Sequence, residues 1–169
     1  PSARVATTAN LAASYSNGTA GVGATLTASS NGALSIDGVS PVVNDRILVK
    51  DQSTAAQNGV YVVTTVGDGS SAFVLTRATP EDQPAELSGG SFVFVEEGTA
   101  NGDNGYVFTH TGAPTFGTTA FDVTQFSGAG QITAGAALTK SGNQLDVAVD
   151  DSSIETVSYT HLRAHETIN

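Results

Sequence analysis

A chain of 169 residues has the length of one domain with an appendage and can bury a core unaided; its lack of cysteine excludes disulfides, thiolate zinc sites and cysteine nucleophiles. Six Lys+Arg against 16 Asp+Glu give a net charge of −10, which argues against a nucleic-acid partner, since phosphate binding runs on basic side chains. With 22 Thr, 18 Val and 5 Ile against 9 Leu, with 19 Gly and 17 Ser between short apolar runs, and with only 13% charged residues, the composition is all-β.

In chain order, Ser2 to Ala13 reads as a strand and Ser14 to Gly23 as a Gly/Ser/Asn-rich loop. Ala24 to Ser29 alternates, and Ala33 to Asp37 runs into the turn dipeptide Asp37-Gly38. Arg46 to Lys50, Val60 to Val66, Ala72 to Arg77, Ser91 to Glu96, Tyr106 to His110 and Ala120 to Phe126 complete the predicted strands. Short strands at this spacing predict a small antiparallel β-sandwich or barrel.

An internal repeat organises the middle of the chain. Arg46-Ile-Leu-Val-Lys-Asp51 is followed by Asn58-Gly59 and Val60 to Val63; Phe92-Val-Phe-Val-Glu-Glu97, 46 residues on, is followed by Asn104-Gly105 and Tyr106 to Phe108. Each copy then passes through a Gly-rich loop into a Phe-led strand, at Phe73 and at Phe121. The expectation is two related meanders in one domain, with a core from Ile47 or Leu48, Tyr61, Phe73, Phe92 or Phe94, Tyr106, Phe108 and Phe121. The Asn-Gly pairs stand too far from the preceding strands for tight type I′ hairpins, so they set re-entry into the next strand.

Composition shifts at Ser127, which predicts a β-sandwich or barrel module over 1–127, a linker and small hairpin over 128–150, and an irregular tail over 151–169. In the hairpin, Leu138 and Leu145 flank a Ser-Gly-Asn turn. No apolar run reaches the roughly 18 residues of a transmembrane helix, so no membrane partner is expected. The start at Pro1, without a charged-then-apolar leader, reads as a fragment or trimmed product.

Several blocks together carry a resemblance. Arg4-Val-Ala-Thr-Thr-Ala-Asn10, Ile36-Asp-Gly38, Asp45-Arg-Ile-Leu-Val-Lys-Asp-Gln52, Gln57-Asn-Gly-Val-Tyr61, Leu75-Thr-Arg-Ala78, Phe92 to Thr99 and Gln125 to Gly130 resemble a domain common in tail fibre and tail appendage proteins of tailed bacteriophages. The similarity spans Ala3 to Val147, with Ala134 to Val147 resembling the entry into further fibre repeats. The resemblance implies a structural virion role, a homotrimer, contact with other tail proteins, and no catalytic residues. Val157 to Thr167 holds two of the three His and resembles translated sequencing adapter; a terminal helix through Tyr159, Leu162 and His165 is the alternative.

No catalytic constellation is assigned. His110 reads as a half-exposed strand-end residue, no Gly-x-Ser-x-Gly elbow is present, and Glu96 and Glu97 point to opposite faces of a strand. Asn101, Asp103 and Asn104 offer oxygen ligands in one loop, with Asp68 and Glu97 as additions, but the calcium-loop motif is absent and these are default turn residues, so no metal or cofactor is assigned. Glu81, Asp82 and Glu86 read as a solvated loop over a sheet edge, or as a recognition loop; Tyr15, Tyr61 and Tyr106 are candidates for stacking sugars, with a half-buried core role preferred for the last two. The expected function is a non-enzymatic structural module of a phage tail fibre or appendage, located in the virion and supporting host attachment. The alternative is a surface-glycan or receptor-binding module of a phage or bacterial adhesin, which an exposed aromatic strand face would favour.

Overall fold

The computed structural model describes residues 2–79, 81–127, 134–135, 138–141, 144–147, 154–156 and 162–164. It divides into two compact units, 1–127 and 128–169. Among the described residues there is no α-helix; the architecture is all-β, with a single 3-10 turn at Ala55–Gln57.

The first unit contains two packed sheets. Six strands lie in the order β2 (Val5–Ala6), β5 (Arg46–Val49), β6 (Gly59–Thr65), β7 (Val74–Arg77), β4 (Thr25–Ala28), β3 (Ala13–Ser16). Four lie in the order β1 (Ser2–Ala3), β8 (Phe92–Val95), β9 (Asn104–Phe108), β10 (Val123–Ser127). Each sheet contains one copy of the repeat as an antiparallel meander, β5-β6-β7 and β8-β9-β10, in the same register: Ile47 pairs with Tyr61 and Tyr61 with Arg77, as Val93 pairs with Tyr106 and Tyr106 with Gln125. The pairing sets Tyr61 against Tyr106, an offset of 45, so the loop before β9 is one residue shorter than the 46-residue sequence offset suggests.

Residues 2–6 form one extended segment that joins both sheets, pairing in parallel with the first strand of each meander: Val5 with Ile47, and Ala3 with Val95. Between the two pairings, the Arg4 guanidinium reaches Asp45 Oδ2 at 2.6 Å and Glu97 Oε1 at 3.3 Å, one carboxylate from each meander. The strand expected over Ser2 to Ala13 is thus split, because its first residues add to one sheet and the next to the other. Two further differences are local. Ser14 to Ser16, expected as loop, belong to β3, which pairs with β4 along Tyr15–Leu26. Ala33 to Asp37, expected as strand, makes only the isolated bridge Ile36–Val39 around a left-handed Asp37 at φ 50°.

The two meanders stack in the same orientation. Call the face of Ile47, Val49, Tyr61, Val63 and Leu75 the front of the first meander, and the face of Leu48, Val60 and Val62 its back. The front is closed by Leu34 and Ile36 from the 30–44 loop, while the back packs on Val93, Val95, Tyr106 and Phe108 of the second meander. Those residues occupy the register positions of Ile47, Val49, Tyr61 and Val63, so back meets front. Sandwiching the first meander between two apolar partners explains why Ile47, Leu48 and Val49 are all buried without alternation. It also corrects the expected core. Val93 and Val95, not Phe92 and Phe94, face inward, and both phenylalanines remain 37% exposed; Phe73 packs only at the margin.

In the second unit, β11 (Leu138–Ser141) and β12 (Gln144–Val147) form a hairpin in which Leu138 pairs with Val147 and Lys140 with Leu145. β13 (Ile154–Thr156) and β14 (Leu162–Ala164) pair antiparallel where an irregular tail or a helix was expected; β-branched Ile154 and Thr156 suit an extended backbone. Residues 142–143 of the Ser-Gly-Asn turn, all of 128–133, and 157–161 and 165–169 of the tail lie outside the described residues.

Candidate functional site

The Asn-Gly pairs form the corners on which each meander closes. Asn58 Oδ1 accepts from the Gln52 amide at 3.0 Å, and its Nδ2 donates to the Phe121 carbonyl at 3.1 Å, tying the first meander to the second. Gly59 has φ 150°, and a Cβ there would collide with Arg77 Nη1, so the missing side chain admits the guanidinium. Arg77 is buried, donating to the Asn58 carbonyl at 3.1 Å and the Tyr61 hydroxyl at 2.9 Å, with its charge 4.8 Å from the Tyr61 ring centre and 4.9 Å from that of Phe116. At the register-equivalent position, Gln125 Nε2 donates to Asn104 Oδ1 at 2.9 Å. The tyrosines tie down the preceding loops: Tyr61 donates to the Gln57 carbonyl at 2.6 Å, and Tyr106 to Asn101 Oδ1 at 2.6 Å. Burial, with Asp51 and Asp37 nearby, pushes the Tyr106 phenol up to about 12, and burial raises Tyr61 further. Both tyrosines are core residues, fully rather than half buried, and neither is free to stack a sugar.

These corners consume the candidate metal ligands. Asn101 is buried; its Nδ2 donates to the Ala6 and Thr7 carbonyls, and its Oδ1 is taken by Tyr106. Asn104 Oδ1 is taken by Gln125, while Asp103 is exposed at φ 59°. The 98–104 loop grips an acid rather than a cation: the Asp37 carboxylate accepts from the Ala100 amide at 2.9 Å and the Asn101 amide at 2.8 Å. Asp68 closes its own turn onto the Ser70 and Ser71 amides, which lower its carboxyl below the usual range, and Glu97 pairs with Arg4. Among the described residues, no three His, Cys, Asp or Glu side chains converge as a metal site.

Two readings are corrected by burial. Glu81 and Asp82 are 6% and 4% exposed rather than solvated, because the chain after β7 turns back on itself, the Glu81 amide donating to the Ala78 carbonyl at 2.8 Å. Glu81 Oε1 meets Arg46 Nη2 at 3.0 Å, and burial raises its carboxyl above the ordinary value, with Arg46 opposing. Asp82 Oδ2 accepts from the Thr79 hydroxyl at 3.2 Å. Glu86, half-buried, accepts from the Gln83 amide at 3.2 Å. His110 is likewise buried rather than half-exposed, its ring edge-on to Phe121 at 5.3 Å, since it continues the inward positions of Tyr106 and Phe108. Tyr15 is half-buried on the outer strand β3 and donates to Asn17 Oδ1 at 2.7 Å.

Apart from these candidates, the described residues include an exposed aromatic surface on the back of the second meander. Phe92, Phe94 and Phe126 are 37%, 37% and 55% exposed, and the Phe92 and Phe126 rings meet edge-to-face at 4.8 Å. In register, Phe94 lies opposite Gly105, which is buried. A shallow groove of about 680 Å³ adjoins this face, lined by Ser88, Gly90, Val107, Thr109 and Gly112. The strand positions on the face bear no charge, in a chain of net charge −10. Sequence reasoning missed this surface because alternation in Phe92 to Val95 does not say which set faces inward. The fold and this face define an all-β module of stacked meanders with one open end layer. No protein-family model, curated protein or solved structure matches the chain.

Proposed function

We propose that this chain is a non-enzymatic structural module of a bacteriophage tail fibre or tail appendage, a homotrimer joined to other tail proteins and supporting host attachment from the virion. The observation that carries this reading is the β11–β12 hairpin. In its register Leu138 pairs with Val147 and Lys140 with Leu145, and in the single chain Leu138, Leu145 and Val147 are 39%, 39% and 44% exposed. A two-stranded piece is marginal alone, because burying each aliphatic returns about 1.5 to 3 kcal/mol while ordering each residue costs about 1 to 2 kcal/mol. Three copies meeting on an axis supply the core that one chain lacks. The resemblance of Ala134 to Val147 to an entry into fibre repeats supports the same reading, while the exposed Phe92, Phe94 and Phe126 strand face favours the alternative of a surface-glycan or receptor-binding module.

Sedimentation equilibrium tests it. The expected result is a trimer that L138D/L145D converts to monomers while the first unit keeps its cooperative transition. A wild-type monomer at micromolar concentration would remove the trimeric reading.

A further inference from the structure

An asparagine followed by glycine is prone to cyclise on its own backbone, because a residue without a Cβ leaves its amide nitrogen open to the preceding side chain. The chain holds five such pairs, beginning at Asn17, Asn31, Asn58, Asn101 and Asn104. In four of them both side-chain amide atoms are held. Asn17 accepts from the Tyr15 hydroxyl at 2.7 Å and donates to the Phe116 carbonyl at 3.0 Å. Asn58 is tied between the Gln52 amide and the Phe121 carbonyl, and Asn101 between the Tyr106 hydroxyl and the Ala6 and Thr7 carbonyls. Asn104 accepts from Gln125 and donates to the Ala100 carbonyl at 3.4 Å. Asn31 differs: it is exposed, and among the described residues its side chain makes no hydrogen bond.

We propose that Asn31-Gly32 is a self-modification site, where the folded chain converts asparagine to isoaspartate and so unpins the loop that caps the first meander. Hydroxide takes the Gly32 amide proton, and the nitrogen bonds to Asn31 Cγ. The bond from Cγ to the side-chain nitrogen breaks, and that nitrogen takes a proton from water and leaves as ammonia. Water then opens the succinimide. Attack at one carbonyl gives aspartate on the ordinary backbone, and attack at the other gives isoaspartate, with the main chain running through Cβ. The Gly32 amide donates to the Ser71 carbonyl at 3.2 Å and must release it before attacking, so the fold slows this pair without locking its side chain. The product's place gives it an effect. Backbone on either side of Asn31 is anchored, the Ser29 amide to the Ala12 carbonyl at 2.9 Å and the Leu34 amide to the Val66 carbonyl at 2.8 Å. An added main-chain carbon between those anchors displaces the start of the 30–44 loop, whose Leu34 and Ile36 close the front of the first meander. This inference goes beyond the fibre reading and does not depend on it.

The test incubates the full chain in mildly alkaline buffer and follows all five Asn-Gly pairs by peptide mass spectrometry, with fragmentation that separates isoaspartate from aspartate. In the folded protein Asn31 should convert about tenfold faster than Asn17, Asn58, Asn101 and Asn104; in urea the five rates should converge, because the fold alone distinguishes them. Hydrogen exchange then reads the consequence. The converted protein should lose slow exchange at the Leu34 amide while β5 and β6 stay protected. Freshly prepared Asn31→Asp, which adds the charge without the extra backbone carbon, should keep that protection. Asn31→Gln, whose longer side chain disfavours the ring, should keep it through the same incubation. An Asn31 that converts no faster than the four bonded asparagines in the folded chain would overturn the self-modification. Leu34 exchange that stays slow after conversion, or quickens equally in incubated Asn31→Gln, would overturn the unpinning.

Discussion

The two meanders share one backbone plan and differ in what surrounds them. Register, strand order and parallel pairing to residues 2–6 are the same in both. The first is enclosed between the 30–44 loop and the second meander; the second is enclosed on its front only. Equivalent positions consequently hold different chemistry. Leu48 and Phe94 correspond, yet one is wholly buried and the other 37% exposed. Arg77 and Gln125 both return to the Asn of their Asn-Gly corner, but Arg77 reaches the backbone carbonyl and is held among aromatic rings, while Gln125 reaches a side-chain oxygen. Burial follows the layer a strand occupies, not the strand itself.

Substitutions at matched positions sharpen that contrast. The largest effect is expected at Phe121, fully buried where the layers meet and in ring contact with Phe108, Phe116 and His110. Phe121→Ala should cost about 3 to 5 kcal/mol by urea unfolding. Its counterpart Phe73→Ala, at the margin of the other cluster, should cost clearly less; equal losses would mean the layers are equally closed.

Arg77→Ala comes next. It leaves the Asn58 carbonyl and Tyr61 hydroxyl without their buried donor, which should cost about 2 to 3 kcal/mol, against about 1 kcal/mol for Gln125→Ala. Thermal denaturation of the two variants side by side reads the difference, and reversal of the order would refute the aromatic enclosure as the stronger anchor.

The connection between layers should make stability pH-dependent. Burial raises the Glu81 carboxyl in the folded state, so the folded protein holds that proton more tightly than the unfolded chain. The resulting stability is present below the ordinary value of 4.5 and is lost as pH rises through the raised one. Glu81→Gln should flatten that part of the urea-midpoint profile; an unchanged slope would place its origin elsewhere.

The smallest effect is expected on the open face. Phe94→Ser should change the stability of the isolated chain by no more than about 0.5 kcal/mol, whereas Leu48→Ala at the matched position should cost about 2 to 5 kcal/mol. Calorimetry on both variants decides whether the second meander's back is truly uncovered in solution.

Part of this architecture is legible in the residues. The paired strand–Asn-Gly–strand–Phe pattern reveals two meanders, because turn chemistry and β-branched alternation are local properties. The inward face of Phe92 to Val95 is not legible, since valine and phenylalanine suit either side of a pleat equally. Nor is the burial of Glu81, Asp82 and His110: the first two lie in a stretch whose composition reads as solvated and the third at a strand end, and only tertiary packing encloses them.

The amino-acid sequence by itself determines the all-β class, the doubled meander, the corner residues Asn58 and Asn104, and a change of character at Ser127. Those follow from backbone preferences and spacing, which act over a few residues. Tertiary structure alone decides that the meanders stack back to front, that Arg4 clamps Asp45 and Glu97 across the two sheets, and that three phenylalanines are left on an open face. The reason is that a strand offers two faces to its surroundings, and which one is buried depends on residues dozens of positions away that arrive only when the layers close.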